Sequence, residues 1–316
     1  MRAAAFQGGG VLGLGQVIIA EEIEARMGLP CHKIFNGIFG TSVGTIIGGA
    51  LAVGKSPADI KPFFLATAPK IFKRGLWKWI HLLWRPKYGD QALEAGLKTL
   101  FGNLTLADCK VPFCATGFDW PSGRPIYFKS YEVSSESKKA IVVGYDSGIK
   151  MWQVCRSSAA AQLYFPGEHM GFGRLAIDGG NTGANAPDML AVTQMKRFGP
   201  VSELELFSIG TGDSAWNVNP NAMWMPGALR AAANTLKLVF AAGVEAANYE
   251  AEQMLESNYH HIESVFRRDM AVDDASPEAL AELIRAAQEA SAINHEFFDA
   301  LVVNAYPSHK IVPKKL

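Results

Sequence analysis

Cysteine is scarce in this sequence, and its spacing excludes two common kinds of site. The four cysteines are Cys31, Cys109, Cys114 and Cys155, and no two of them form a C-x-x-C pair. Such spacing matches neither a zinc site nor a disulfide framework, so we expect a reducing compartment. No group of carboxylates has the spacing of a calcium loop. The sequence therefore predicts no metal and no cofactor.

A surplus of positive charge is also missing. Lysine and arginine together number 30, as do aspartate and glutamate, so the formal net charge is zero. Nucleic-acid-binding domains usually carry a basic excess on one face. We therefore do not expect nucleic acid as a partner.

Two signals of membrane insertion or export are missing as well. No uninterrupted apolar run is long enough to span a bilayer. The first residues, 1–7, run directly into glycines without the apolar core of a signal peptide. With 49% apolar and 19% charged residues, the chain can nonetheless bury a sizeable core. We expect a cytoplasmic protein, and peripheral attachment at the inner membrane stays open.

Short apolar strands alternate with helices along most of the chain. That alternation is typical of an α/β fold, in which a mostly parallel central sheet carries helices on both faces. One hairpin is expected where the segment 120–123 turns between two strands. The predicted strands lie at 2–7, 34–39, 111–118, 125–128, 174–177, 204–209 and 259–265, and the later predicted helices at 149–161, 187–197, 226–255 and 277–301.

The second strand leads into the sequence Gly40-Thr41-Ser42-Val43-Gly44, after which a helix begins. Small residues two positions before and after Ser42 allow a sharp turn that pushes the serine hydroxyl out of the sheet. The N-terminus of the new helix places positive partial charge beside that oxygen. The motif predicts a nucleophile at Ser42, and a flexible Gly/Ser loop is the alternative.

A glycine-rich turn over residues 8–15 follows the first strand and precedes a helix. Backbone N–H groups converge at such a turn and bind anions. Gly8, Gly10 and Gly13 fit the dinucleotide pattern G-x-G-x-x-G, but the second strand does not end in the acidic residue that this pattern requires. An oxyanion hole and a tight turn without a ligand are the remaining interpretations.

A serine hydroxyl needs a neighbouring base before it attacks a carbonyl. Asp178 ends a short strand and precedes two glycines, at the sheet edge where open α/β folds carry functional groups. A carboxylate within hydrogen-bond reach of Ser42 forms a Ser–Asp dyad that needs no histidine. His260 and His261 are the alternative base, in a Ser–Asp–His triad. An ordinary Asp-Gly turn is the structural alternative.

Residues 70–87 contain lysine, arginine and tryptophan but no acidic residue. This composition is typical of a segment that lies at a membrane interface. A partly buried helix pair with solvated basic edges is the alternative. The residues expected to contact a phospholipid membrane are Lys73, Arg74, Trp77, Lys78, Trp79 and Trp84.

Taken together, the glycine loop, G-x-S-x-G and Asp178-Gly179-Gly180 resemble the patatin-like phospholipases in order and spacing. Three further segments, at 155–166, 114–125 and 207–212, are similar to motifs of that family. The resemblance implies a three-layer α/β/α patatin-like fold with a catalytic core at 1–215. Residues 216–316 carry no assigned motif, and we expect a mainly helical part packed on the same domain.

The resemblance also implies roles for individual residues. Ser42 is expected to be the nucleophile, Asp178 its base, and the backbone N–H groups of Gly8, Gly9 and Gly10 the oxyanion donors. The expected activity is that of a serine acyl hydrolase that cleaves membrane lipids. Two positions depart from the family pattern, because Leu12 stands where arginine is usual and Gln7 where aspartate or asparagine is usual.

Two further functional interpretations stay open. In the first, the same chemistry serves a signal-gated effector that damages membranes in antiphage defence, and a small-molecule ligand activates it. In the second, the glycine-rich loop belongs to a non-catalytic nucleotide or lipid binder.

Overall fold

The computed structural model describes residues 1–73, 86–132, 138–171, 173–212 and 228–303. In these ranges, nine strands form one sheet. They are β1 (Arg2–Phe6), β2 (Gly37–Gly40), β3 (Phe113–Asp119), β4 (Arg124–Lys129), β5 (Ile141–Gly144), β6 (Glu168–Gly171), β7 (Arg174–Asp178), β8 (Glu205–Ile209) and β9 (Tyr259–Ile262).

The α-helices of the same ranges alternate with these strands, as the sequence predicts. They are α1 (Gly13–Met27), α2 (Cys31–Ile34), α3 (Val43–Ala52), α4 (Pro57–Pro62), α5 (Ala68–Ile71), α6 (Gln91–Phe101), α7 (Met151–Ser158), α8 (Asp188–Met195), α9 (Ala228–Leu255), α10 (Pro277–Ile293) and α11 (His295–Val303). No helix within the described ranges is both long enough and apolar enough to cross a bilayer.

The sheet is mostly parallel, which confirms the predicted α/β class. Its strand order is β5-β4-β3-β2-β1-β8-β9, with β7 paired to β3 and β6 to β7. Strand β1 runs parallel to both neighbours, so that Phe6 lies beside Gly40 and Ile209. The predicted hairpin is confirmed as the antiparallel pair β3–β4. The glycine loop and the Ser42 turn therefore leave the sheet at the same edge.

Side chains of β1 alternate between two apolar layers. Ala4 and Phe6 lie in the larger core, with α1, α3 and α10. Ala3 and Ala5 lie in a smaller core on the other face, which α8 and the end of α9 cover. Successive side chains of a strand point to opposite faces, so a strand that is apolar throughout must be covered on both sides. The result is the three-layer arrangement.

Strands β2 and β7 lie end to end along the same side of β3. Gly40 of β2 pairs with Ala115 in parallel, and Asp178 of β7 pairs with Gly117 in the antiparallel direction. Both strands therefore end at the same point, approached from opposite directions. This topology brings the carboxylate at the end of β7 next to the turn that follows β2.

The C-terminal part extends the same sheet through β9, which pairs with β8 in parallel. The expectation of one continuous terminal helix at 277–301 is wrong, because the chain breaks between α10 and α11 at Asn294 (φ −85°, ψ 61°). The Asn294 side-chain amide donates to the Ala290 carbonyl (2.8 Å). Such a local side-chain bond competes with the helical ladder and ends it.

Candidate functional site

Ser42 lies on a strained turn between β2 and α3. Its backbone has φ 54° and ψ −123°, a conformation that costs energy for a residue with a side chain. A Cβ added to Gly40 would lie 2.4 Å from the Gly44 carbonyl oxygen, and one added to Gly44 would lie 2.0 Å from that of Phe6. The two glycines of G-x-S-x-G are therefore required by close backbone packing.

Hydrogen bonds from distant segments hold this turn in place. The Ser42 N–H donates to the Oγ of Ser158 (2.9 Å), which also bonds to the Thr45 hydroxyl (2.8 Å). The Thr41 hydroxyl lies 2.8 Å from that of Thr116 and donates to the Ala184 carbonyl (2.8 Å). The Ser42 N–H is therefore occupied, while its side chain remains half-buried at the sheet edge.

The carboxylate of Asp178 lies beside the Ser42 side chain. Asp178 is 1% exposed, and its Oδ1 accepts a hydrogen bond from the Gly180 N–H (2.8 Å). Burial raises the pKa of Asp178 to about 7, although the Ser42 hydroxyl and the Gly180 N–H oppose the rise. A carboxyl with a pKa near 7 can accept a proton from a hydroxyl and return it at neutral pH.

The ring of Phe240, on α9, lies beside Gly180, whose N–H donates to this carboxylate. A Cβ added to Gly180 would lie 2.7 Å from Phe240 Cε1 and 3.2 Å from Asp178 Oδ1. Both the ring and the carboxylate oxygen thus pack against the Gly180 backbone. Desolvation of a carboxylate disfavours its charged form, which is the direction of the Asp178 shift.

The glycine-rich loop lies against the Ser42 turn, because a Cβ added to Gly8 would be 3.0 Å from the Cβ of Ser42. The Gly8 N–H, however, donates to the Asn185 carbonyl (3.0 Å). Neither Gly9 nor Gly10 donates its N–H to a backbone carbonyl within the described part of the chain. This bond opposes the predicted role of the Gly8 N–H as an oxyanion donor. For the N–H groups of Gly9 and Gly10, that role stays a prediction.

The two departures from the family pattern point away from the site. Leu12 is 6% exposed and lies in the larger apolar core. The Gln7 side chain donates to Asn248 Oδ1 (3.2 Å) within a buried polar cluster on the other side of β1. Neither side chain contacts the dyad.

The alternative histidine base does not lie near Ser42. His260 and His261 belong to β9, three strand positions from β2 in the sheet order, which is roughly 14 Å at the usual strand spacing. His260 stacks on the ring of Phe207 (4.7 Å between centroids), and His261 bonds to Glu263 (3.1 Å). The geometry thus opposes a Ser–Asp–His triad.

Of the residues expected to contact a membrane, Lys73 is exposed at the end of the described segment 1–73. Arg74, Trp77, Lys78, Trp79 and Trp84 lie outside the described residues. Membrane contact by this segment stays a prediction.

Sequence reasoning missed Asn185, which fixes the glycine-rich loop. Its backbone carbonyl accepts from the Gly8 N–H (3.0 Å), and its side-chain amide donates to the Gly8 carbonyl (3.1 Å). The Thr211 hydroxyl donates to the same Gly8 carbonyl (3.2 Å). Asn185 follows Asp178-Gly179-Gly180 on a short loop, and this proximity to the predicted base is the sequence signal that could have identified it.

Ser158 is a second residue that the sequence did not single out. Its role depends on the preceding Arg156, whose guanidinium is fully buried and donates to the Pro166 carbonyl (2.8 Å) and to Asp90 (3.3 Å). Arg156 thus fastens the end of α7, from which the Ser158 hydroxyl accepts the Ser42 N–H. The resemblance at 155–166 marked this segment without indicating its contact with Ser42.

Comparison with known proteins gives a family match over residues 4–192, described as Patatin-like phospholipase. The chain is 27% identical to the "cGAMP-activated phospholipase" of Pseudomonas aeruginosa, over 85% of this chain and 80% of that one. It is 26% identical to the "cUMP-AMP-activated phospholipase" of Escherichia coli (60% and 58% covered) and 30% identical to "Patatin-like protein 4" of Arabidopsis thaliana (61% and 51%). The chain thus spans less than two thirds of the latter two relatives.

Proposed function

Because the chain belongs to the patatin-like phospholipase family, we propose that it is a serine acyl hydrolase that cleaves fatty-acyl esters of membrane lipids through a Ser42–Asp178 dyad. One observation carries the proposal. Ser42, on its strained turn, lies beside a buried aspartate whose pKa is raised by burial to about 7. This pairing supplies both a nucleophile and a base suited to neutral pH.

In the proposed reaction, Asp178 accepts the hydroxyl proton while Ser42 Oγ attacks the ester carbonyl carbon. The carbonyl electrons move to the oxygen, which the N–H groups of Gly9 and Gly10 hold as an oxyanion. The intermediate collapses, the bond to the lipid alcohol breaks, and Asp178 returns the proton to that alcohol. Asp178 then accepts a proton from water, whose oxygen attacks the acyl carbon. The bond from that carbon to Ser42 Oγ breaks, Asp178 returns the proton to Ser42 Oγ, and the fatty acid is released.

The setting of the loop supports this assignment of oxyanion donors. Donors contribute most when they are fixed before the reaction, and the loss of one commonly costs about 3–4 kcal/mol in acyl transfer. Asn185 and Thr211 hold Gly8 by both of its backbone groups. A loop held in this way presents its next two N–H groups without further rearrangement.

A serine-directed fluorophosphonate probe and lipid vesicles test the proposal together. We expect the wild-type protein to be labelled once and to release fatty acid from phosphatidylglycerol or phosphatidylethanolamine vesicles. We expect Ser42→Ala to do neither. A Ser42→Ala protein that hydrolyses lipid as fast as wild type would refute the dyad. A wild-type protein that binds vesicles but is never labelled would favour the non-catalytic binder.

A second candidate is a signal-gated form of the same enzyme, acting on the inner membrane from the cytoplasm in antiphage defence. It is favoured by two relatives named for activation by cyclic nucleotides. Purified protein should then hydrolyse vesicles only after a cyclic dinucleotide such as cGAMP is added. Full activity without any additive would argue against gating and leave the hydrolase assignment intact.

A cavity of about 370 Å³ between α8, α9 and the β3–β4 hairpin is an unsuitable place for such an activator. Its described lining includes the carboxylate of Glu250 but no lysine or arginine. A cyclic dinucleotide carries two phosphates, which need cationic or N–H donors. If gating occurs, we expect the activator to bind elsewhere.

A further inference from the structure

A short segment of the C-terminal part lies directly on the glycine-rich loop. The Val272 carbonyl accepts the Val11 N–H (2.8 Å). Gly10 has φ 61°, and a Cβ added there would lie 2.2 Å from the Val272 oxygen. The peptide that carries the Gly10 N–H is therefore confined by Val272.

The next residue, Asp273, fastens this segment to Lys87 and Tyr88. Its side chain is 11% exposed and accepts hydrogen bonds from the Tyr88 hydroxyl (2.8 Å) and from the Lys87 ammonium group. The ring of Tyr88 is buried beside those of Phe72 and Phe165 (centroids 5.3 and 6.0 Å). Asp273 is thus anchored to a packed aromatic cluster.

The partners of Asp273 are themselves fixed by backbone bonds. The N–H groups of Lys87 and Tyr88 donate to the carbonyls of Leu163 (2.7 Å) and Tyr164 (2.8 Å). These carbonyls belong to the segment that continues from α7, where Ser158 accepts the Ser42 N–H. A hydrogen-bonded path therefore leads from the Ser42 side of the site, through Asp273, to the glycine-rich loop.

A turn fixes the backbone around Val272 and Asp273. The Asp274 N–H donates to the Ala271 carbonyl (3.0 Å), and the Asp274 side chain accepts the Ser276 N–H (3.1 Å). Ser276 then caps α10 by accepting the Ala279 N–H (3.3 Å). Asp273 and the capped helix α10 both follow Val272 closely in the chain. Their bonds together fix the position of Val272 over Gly10.

We propose that Asp273 is a positioning residue of the acyl-transfer site, which holds the Val272 carbonyl on Val11 and thereby orients the Gly10 N–H toward the oxyanion. The inference rests on the proposed function, because it assigns the Gly10 N–H to the transition state. It also gives a role to the C-terminal part, in which the sequence shows no motif. Asp273 acts only through the backbone and does not touch the substrate.

Positioning and a merely structural role predict different kinetics. Loss of a transition-state contact lowers kcat and kcat/KM together and leaves KM largely unchanged. A displacement of about 1 Å at a reacting group can cost about a hundredfold in rate. A general loss of folded protein would instead lower the concentration of active sites, which titration with a fluorophosphonate measures directly.

The test compares wild type, Asp273→Ala, Asp273→Asn and Tyr88→Phe, with Asp299→Ala as the control for removal of an exposed carboxylate on α11. The readouts are kcat and KM for a short-chain p-nitrophenyl ester, per titrated site, and the rate constant of fluorophosphonate labelling. A water-soluble ester avoids any dependence on membrane docking.

We expect Asp273→Ala to lower kcat and the labelling rate by about tenfold or more, with KM within about twofold. Asp273→Asn keeps an acceptor for the Tyr88 hydroxyl, so its kcat should fall less. The loss of kcat should be smaller still in Tyr88→Phe, and Asp299→Ala should keep the wild-type kcat. Should Asp273→Ala fail to fold, Asp273→Asn and Tyr88→Phe decide by the same criteria.

Unchanged kcat per site in these variants would overturn the inference while the hydrolase assignment stands. A wild-type protein that the probe never labels would overturn the proposed function, and the inference with it.

Discussion

Asp178 and Asp188 are both buried aspartates, and each lies beside a serine: Asp178 beside Ser42, and Asp188 beside Ser208. Burial raises the pKa of both carboxyls. The two pairs differ in what surrounds the serine. Ser208 lies fully buried within β8, whereas Ser42 is half-buried on a strained turn beside the glycine-rich loop.

The remaining partners of the two carboxylates differ as well. Asp188 also accepts from the Tyr259 hydroxyl (3.1 Å) and lies near His261, whose charge favours the ionised form. Asp178 accepts a hydrogen bond from the Gly180 N–H and lies beside Ser42. A serine beside a buried aspartate is therefore not sufficient for a nucleophile. Access to substrate and a set of oxyanion donors distinguish the catalytic pair from the structural one.

The largest expected effect concerns the two serines. Ser42→Ala should lower kcat for a soluble ester by roughly a thousandfold or more, because the covalent step is lost. Ser208→Ala should stay within about threefold of wild type, since Ser208 contacts no substrate. Initial rates per folded protein measure both. Equal losses in the two variants would remove the distinction between the pairs.

The next largest effect concerns the two aspartates. Asp178→Asn should lower kcat by about a hundredfold to ten-thousandfold, the usual range for a lost general base. Asp188→Asn should keep most of the activity and change the unfolding midpoint instead, since it alters the buried hydrogen bond from the Tyr259 hydroxyl. An Asp178→Asn variant with wild-type kcat would show that the base is another group.

The pH dependence follows from the pKa of about 7 for Asp178. The base must be ionised in the free enzyme, so kcat/KM should fall about tenfold per pH unit below the pKa and level off above it. Asp188→Asn should preserve this acid limb, and Asp178→Asn should abolish it. The measurement is a kcat/KM profile of the three proteins from pH 5 to 9. A fall in kcat/KM centred near pH 4 would contradict the rise in the pKa of Asp178 that burial causes.

A smaller effect is expected at Asn185, which lies on the loop that follows Asp178. Asn185→Ala removes the amide bond to the Gly8 carbonyl but keeps the backbone bond, so kcat should fall about tenfold with KM little changed. Thr211→Val removes the second side-chain donor to that carbonyl and serves as the matched control. Its kcat should fall less than that of Asn185→Ala. A rise in KM without loss of kcat would instead place Asn185 in substrate binding.

The contrast also shows which parts of the site a sequence can predict. Ser42 and Asp178 carry local signals, since glycine spacing and a strand end are visible within a few residues. The fold class follows from the alternation of apolar strands and helices. Ser208 and Asp188 have no such signal, and their proximity depends on how α8 packs against β8.

The contacts that prepare the site are not local in sequence. Ser158, Asn185 and Val272 reach Ser42, Gly8 and Val11 from more than a hundred residues away. Their positions depend on how β7 meets the end of β2 and how the C-terminal part packs on α1. A motif shows which glycines are needed, but the assignment of the Gly8 N–H to Asn185 required the tertiary structure.

The central claim, that Ser42 and not Ser208 is the nucleophile, is tested most directly by locating the fluorophosphonate adduct. Tryptic peptides of the labelled protein are analysed by mass spectrometry for wild type, Ser42→Ala and Asp178→Asn. We expect one adduct on Ser42, none in Ser42→Ala, and slower labelling in Asp178→Asn. An adduct on another serine that persists in Ser42→Ala, or no adduct in the wild type, would contradict the account.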